Sequence, residues 1–173
     1  MAQFMFTENT NMSDPKNNVH IYLAISEWQA RSSTEDLLVL HGFDVSSFST
    51  PENLWEHFLA RPARFIILDR SFDDGSDGLV FVKKIRAKNV SPYVYVLVRS
   101  TVERLIDVQA ALAAGANDCL VVYKIHDPFQ IQSRILVGLQ WLNCLDSIKN
   151  GGNDPNEILQ QRSSMPLERA HDN

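Results

Sequence analysis

Five times in succession a short apolar run gives way to a stretch with helical spacing, and that alternation constrains the fold more than any single motif. Val19 to Ile25 is apolar and β-branched, as expected of a strand buried on both faces. Ser26 with Gln29 resembles a helix cap and its partner three residues on, opening a helix to about His41 that Gly42 ends. Phe43 to Phe48 is a second strand, and Thr50-Pro51-Glu52 opens a helix whose Leu54, Trp55, Phe58 and Leu59 should face the sheet. Ala63 to Asp69 is the third strand, and the helix after its loop carries Leu79, Val82 and Ile85 on one side. Tyr93 to Val98 is the fourth. Ser100 and Glu103 form another capping pattern, starting a helix with Leu105, Val108 and Leu112 that stops at Gly115. Cys119 to Val122 is the fifth strand, and Asp127-Pro128 caps a last helix running towards Lys149.

Strict alternation predicts an α/β fold, a five-stranded parallel sheet doubly wound by helices on both faces. With five units the flavodoxin-like order 2-1-3-4-5 is the leading expectation. In that order the ends of strands one and three are neighbours, so Ser26, Glu27 and Asp69 should converge at the rim where such sheets place their chemistry. The expected domain covers 19–149, between a disordered N-terminal arm at 1–18 and a polar tail or linker at 150–173.

Composition removes several function classes. A formal net charge of −5 with no basic run gives no reason to expect nucleic acid. No window is apolar enough to span a bilayer, and the start has no signal-peptide pattern. The two cysteines, Cys119 and Cys144, have no metal-ligand spacing, which fits a reduced cytoplasmic setting. No Gly-x-Ser-x-Gly turn supports a hydrolase. A flavin mononucleotide carrier needs a loop rich in Ser, Thr or Gly after strand one, whereas Ser26-Glu27-Trp28-Gln29 places an acid there and contains no glycine. The chain is not expected to be an enzyme.

An acid ending a buried strand is costly unless it is solvated, paired or functional, which singles out Asp69 after Phe65-Ile66-Ile67-Leu68. That segment, Asp77-Gly78-Leu79 after it, the run Ala110 to Asp118 (Ala-Ala-Leu-Ala-Ala-Gly-Ala-Asn-Asp) and Asp127-Pro128 resemble the receiver domain of two-component response regulators over about Val19 to Lys149. The resemblance implies that Asp69 is the phospho-acceptor in a phosphorelay, served by a histidine kinase or phosphotransfer protein. It implies Mg²⁺ at Glu27 and Asp69, held weakly because Ser26 stands where the family has a second acid. Lys124 and Ser100 become candidate phosphate contacts, although without gaps the hydroxyl position maps to Val98, next to Arg99. The aromatic switch position looks like Cys119.

Simpler readings stand beside these. Glu27 is equally well a first-turn acid favoured by the helix dipole, and Ser26 a cap. Lys124 is equally a solvated loop cation. Asp73, Asp74 and Asp77 shape a turn, with Asp77 a candidate cap. Arg99, at the mouth of the crevice, is placed to pair with Asp69 or Glu27 in lieu of metal. Output is expected through contact with a downstream protein or effector domain, or a homodimer through the last helix, whose apolar residues at 131, 135, 139, 142 and 145 form a stripe with Trp141 and Ile148 off it. The alternative is a pseudo-receiver that works by protein contact without phosphorylation.

Overall fold

The computed structural model describes residues 19–101, 105–122 and 128–149, with backbone alone at 105–106 and 128–129. The elements are β1 (His20–Ala24), α1 (Trp28–Leu40), β2 (Asp44–Phe48), α2 (Pro51–Ala60), β3 (Phe65–Asp69), α3 (Gly78–Lys88), β4 (Tyr95–Ser100), α4 (Leu105–Ala113), β5 (Asp118–Val121) and α5 (Pro128–Lys149). The strands form one sheet in the order β2-β1-β3-β4-β5, every neighbouring pair parallel. This is the flavodoxin-like arrangement the alternation predicts. The arm expected at 1–18 and the tail expected at 150–173 lie outside the described residues. The chain divides at Pro128 into two compact units, the sheet with α1 to α4 and the helix α5. No helix among the described residues is long and apolar enough to cross a membrane.

Strand side chains alternate between the two faces of the sheet. On one face Tyr22, Ala24, Ile66, Leu68, Val96 and Val98 join Leu54 and Phe58 of α2, Leu79, Val82 and Ile85 of α3 and Ala111 of α4 in one apolar cluster. On the other face lie Ile21, Leu23, Phe65, Ile67 and Leu97, all fully or almost fully buried, and α1 buries Ala30, Thr34 and Leu38. The centre of the sheet is therefore dry on both sides. The uninterrupted apolar runs of β1, β3 and β4 meet that requirement, whereas β2, an edge strand, is only partly buried and carries serines.

Local chemistry fixes the helix ends. The Thr50 hydroxyl accepts from the Asn53 amide with Pro51 at the first turn of α2, and the Asp77 carboxylate accepts from the Leu79 amide at the start of α3. Gly115, at φ 99°, ends the turn after α4, in a conformation that disfavours any residue with a Cβ. There it lies against Arg86, whose guanidinium donates to the carbonyls of Gly115 and Val94 and to Asn117 Oδ1, tying α3 to the start of β4 and the approach to β5.

Several boundaries and faces differ from expectation. Glu27, not Ser26, caps α1: both of its carboxylate oxygens accept backbone amides, from Gln29 at 2.8 Å and Ala30 at 2.6 Å. β4 begins at Tyr95 and runs two residues past Val98, so Ser100 ends a strand rather than capping the next helix. Glu103, its expected capping partner, lies outside the described residues. Leu59 and Leu112 are 49% and 50% exposed, because α2 seats its Leu54 and Phe58 and α4 its small Ala111, with Ala114 buried in the turn that follows. Large apolar residues at helical spacing were the wrong guide there.

Gly78 shows how closely α3 approaches the end of β3. A Cβ built on it would lie 2.0 Å from the Asp69 carbonyl oxygen, backbone that cannot step aside. The Gly78→Ala substitution is expected to lower the unfolding free energy by about 2 kcal/mol or more, the scale of overpacking in a tight core. Urea unfolding followed by circular dichroism checks this, and a loss within the usual small effect of a surface substitution contradicts it.

Candidate functional site

Asp69 is the last residue of β3, and its register partner on β4 is Arg99. Partners in register point to the same face, so the sheet itself delivers the guanidinium to the carboxylate. Arg99 Nε donates to Asp69 Oδ1 at 2.5 Å and Nη2 to Oδ2 at 3.2 Å, a bidentate fork. A third donor is the backbone amide of Ser26, 2.9 Å from Oδ2. Asp69 is 5% and Arg99 2% exposed. The expected convergence of strands one and three at this rim is thus present, with the Ser26 main chain rather than its hydroxyl on the carboxylate.

The Ser26 hydroxyl serves the rim differently. It accepts the Asp73 amide at 2.7 Å, anchoring the loop after β3, while Arg31 Nη1 donates to the carbonyls of Ile25 and Ser26. That loop is further tied by Arg70, whose Nη1 donates to Asp77 Oδ1 at 2.5 Å. Asp74 Oδ1 accepts the Ser76 amide and hydroxyl, which hold its carboxyl below the usual range. The acidic loop residues therefore shape the turn and cap α3.

Between the ends of β3 and β4 lies a cavity of about 160 Å³, lined by Asp69, Arg70, Ser71, Arg99, Ser100, Thr101 and Asp107. On two of the lining residues, Arg99 Nη1 and Arg70 Nε are buried without a hydrogen-bond partner. The structure brings Asp69 and Ser100 to one cavity. Lys124 lies outside the described residues. Neither Val98 nor Ser100 faces Asp69 in register; that place belongs to Arg99. Arg70 and Asp107 were missed, since neither periodicity nor motif marks a loop cation or a helix acid as lining a cavity.

Comparison with known proteins agrees with the fold. The profile of the response regulator receiver domain matches residues 27–135, more than half of the chain. The chain belongs to the receiver domain family. Among solved structures, the chemotaxis response regulator CheY4 of Vibrio cholerae superposes with a TM-score of 0.63 at 18% identity, over 69% of this chain and 98% of that one. A two-component response regulator from Clostridium difficile gives 0.64 at 19%, over 72% and 98%. A probable two-component system response regulator/GGDEF domain protein gives 0.67 at 19%, over 74% of this chain and 52% of that one. The chain spans about half the length of two such GGDEF proteins. At these identities the likeness shows the fold. No curated protein matches the chain significantly.

Receiver domains generally bind Mg²⁺ at the phosphorylation site. The donors at this rim do not fit that ion. Asp69 has its two oxygens turned to a guanidinium fork and an amide, Glu27 has both of its oxygens on the first turn of α1, and Ser26 supplies no charge. A divalent cation at Asp69 would also stand against the positive charge of Arg99. Among the described residues no group of three or more His, Cys, Asp or Glu is placed to hold a metal.

Cys119, in β5, is partly buried. Burial first, and then the charges of Asp118 and Asp107, raise its thiol pKa above the ordinary value. Its thiolate is scarce at neutral pH, so alkylation by iodoacetamide should run slower than for a free cysteine and accelerate as pH rises past the usual thiol range. Mass mapping of labelled peptides measures it.

The ion pair itself makes a sharper prediction. Breaking a buried pair from one side leaves an uncompensated charge, so Arg99→Met is expected to cost about 3–5 kcal/mol of stability. Removing both charges in Asp69→Leu/Arg99→Met should recover most of that loss. A double-mutant cycle in urea decides, and additive losses would show that the pair is not coupled.

Proposed function

We propose that this receiver domain signals by binding protein partners while Asp69 remains unphosphorylated, and that it is not an enzyme. The observation that carries this reading is the bidentate Arg99–Asp69 pair. Phosphoryl transfer to a carboxylate needs an available oxygen nucleophile and a cation that offsets charge on the incoming phosphoryl oxygens. Here the nucleophile is already charge-compensated by a fixed cation that shields it, and the residues expected to hold Mg²⁺ are otherwise engaged. Receiver domains interact with histidine kinases and effector domains; for this chain the proposed output is a contact with an effector domain or a second copy. On α5, Val137, Trp141 and Ile148 are exposed at spacings that share one helix face, which supports a contact through that helix.

The second reading keeps Asp69 as phospho-acceptor in a phosphorelay. In its favour, Asp69 shares a cavity with the Ser100 side of β4, where a hydroxyl would meet a phosphoryl oxygen. Incubation with acetyl phosphate, with and without Mg²⁺, followed by intact-mass measurement separates the two. The expected result is no phosphoryl adduct on the wild type under either condition. A Mg²⁺-dependent adduct that disappears in Asp69→Ala would establish the phosphorelay reading instead.

A further inference from the structure

Away from the Asp69 rim, towards the amino ends of β1 and β2, three side chains form a relay of hydrogen bonds. The carboxylate of Asp44 meets His20 Nδ1, and His20 Nε2 lies 3.0 Å from Ser46 Oγ. Asp44 is the register partner of His20 and Ser46 stands two residues on, so the pleat puts all three on one face of the sheet. An ionised carboxylate only accepts, which places the imidazole proton on Nδ1. In the neutral ring Nε2 is then a bare lone pair, and the Ser46 hydroxyl donates to it. The ring is also held edge-on against Tyr22, with centroids 5.0 Å apart. The His20 side chain is 17% exposed and that of Asp44 67%.

A hydroxyl whose proton is taken by an imidazole, itself oriented by an acid, is an activated nucleophile. The place is open to solvent, because β2 is an edge strand and Ser46 is only partly buried. The Phe48 carbonyl accepts the Ile25 amide across the β1–β2 boundary, so the amide of Ser47, one residue earlier, points away from β1 to the open edge. A main-chain donor directly after a nucleophile is the kind that steadies negative charge developing on an acyl oxygen. We propose that Ser46 is a site of covalent acylation by an activated ester or acyl phosphate, with His20 as general base and Asp44 as a positioning residue. Ser46 Oγ attacks the acyl carbon while its proton passes to His20 Nε2. The bond from that carbon to the leaving oxygen breaks, the oxygen departs with the electron pair as phenolate or phosphate, and the imidazolium returns its proton to solvent. The product is an ester on the chain, and the hydrogen bond by which Ser46 ties β2 to His20 of β1 loses its donor. Each chain reacts once and turns nothing over, which stands beside the reading that the domain is not an enzyme.

The test incubates the full chain with p-nitrophenyl acetate, following nitrophenolate release and intact mass, and locates the modified residue by fragmentation that separates Ser46 from Ser47. One acetyl group per chain, on Ser46, is expected, and release by Ser46→Ala should fall to that of the chain unfolded in urea. Asp44→Asn, at a largely exposed side chain, leaves the ring an acceptor but removes the charge. It should slow acetylation about tenfold or more, a part of what general base catalysis contributes, while the far-ultraviolet circular dichroism spectrum stays unchanged. A purely structural relay would not make acetylation depend on Asp44. Absence of acetyl on Ser46, or equal rates in wild type and Asp44→Asn, overturns the proposal. The outcome is independent of Asp69, since an acetyl group on Ser46 and a phosphoryl group on Asp69 differ in both mass and position.

Discussion

One buried ion pair organises the functional end of the sheet. A carboxylate and a guanidinium, each almost wholly removed from water, are tolerable only because their geometry is bidentate and an amide completes the acid. The pair constrains more than itself. It requires β3 and β4 to be neighbours in the register Asp69 to Arg99, it keeps β4 in the sheet two residues past its last apolar residue, and it draws the end of β1 in through Ser26. Strand order and site are therefore a single arrangement. A different order would leave one of two charges buried alone.

Much of this was legible in the sequence because the relevant signals were repeated. All five strands and all five helices follow from period and punctuation, and the order 2-1-3-4-5 was the leading expectation for five strands joined by four crossovers. Asp69 stood out because an acid terminated a fully apolar run, and Arg99 because it sat at the matching end of the next central strand. What failed had a common cause. Sequence patterns weight a residue by its type, whereas burial depends on how near the backbones lie. The alanine face of α4 and the exposed Leu59 and Leu112 could not be told from that weighting. The end of β4 was hidden for the complementary reason: a charge looks like a strand terminus until its partner on the neighbouring strand is known.

Glu27 illustrates a second ambiguity. An acid after strand one suits either a cation or the amino terminus of the helix that follows, since both present positive charge to it. Type and position are the same in the two cases. Only the observed hydrogen bonds to Gln29 and Ala30 show which the chain uses, and with α1 so capped the rim has one acid fewer for a metal. Ser26 completes the exchange. Its main chain supports Asp69, and its hydroxyl fastens the loop after β3 while adding no charge for a metal.

A switch needs a ligand or modification that interacts differently with two conformations. In a receiver whose acceptor is bare, adding a phosphoryl group changes the charge that nearby cations and hydroxyls experience, and the rim rearranges to meet it. With Arg99 already on Asp69, the largest part of that electrostatic change is built into the resting fold. The pair supplies rigidity and removes the differential. Whatever biases this domain between conformations must therefore act on groups the pair leaves over, which at this rim are Arg70, Ser100 and the cavity they line, or on the helical faces that partners touch.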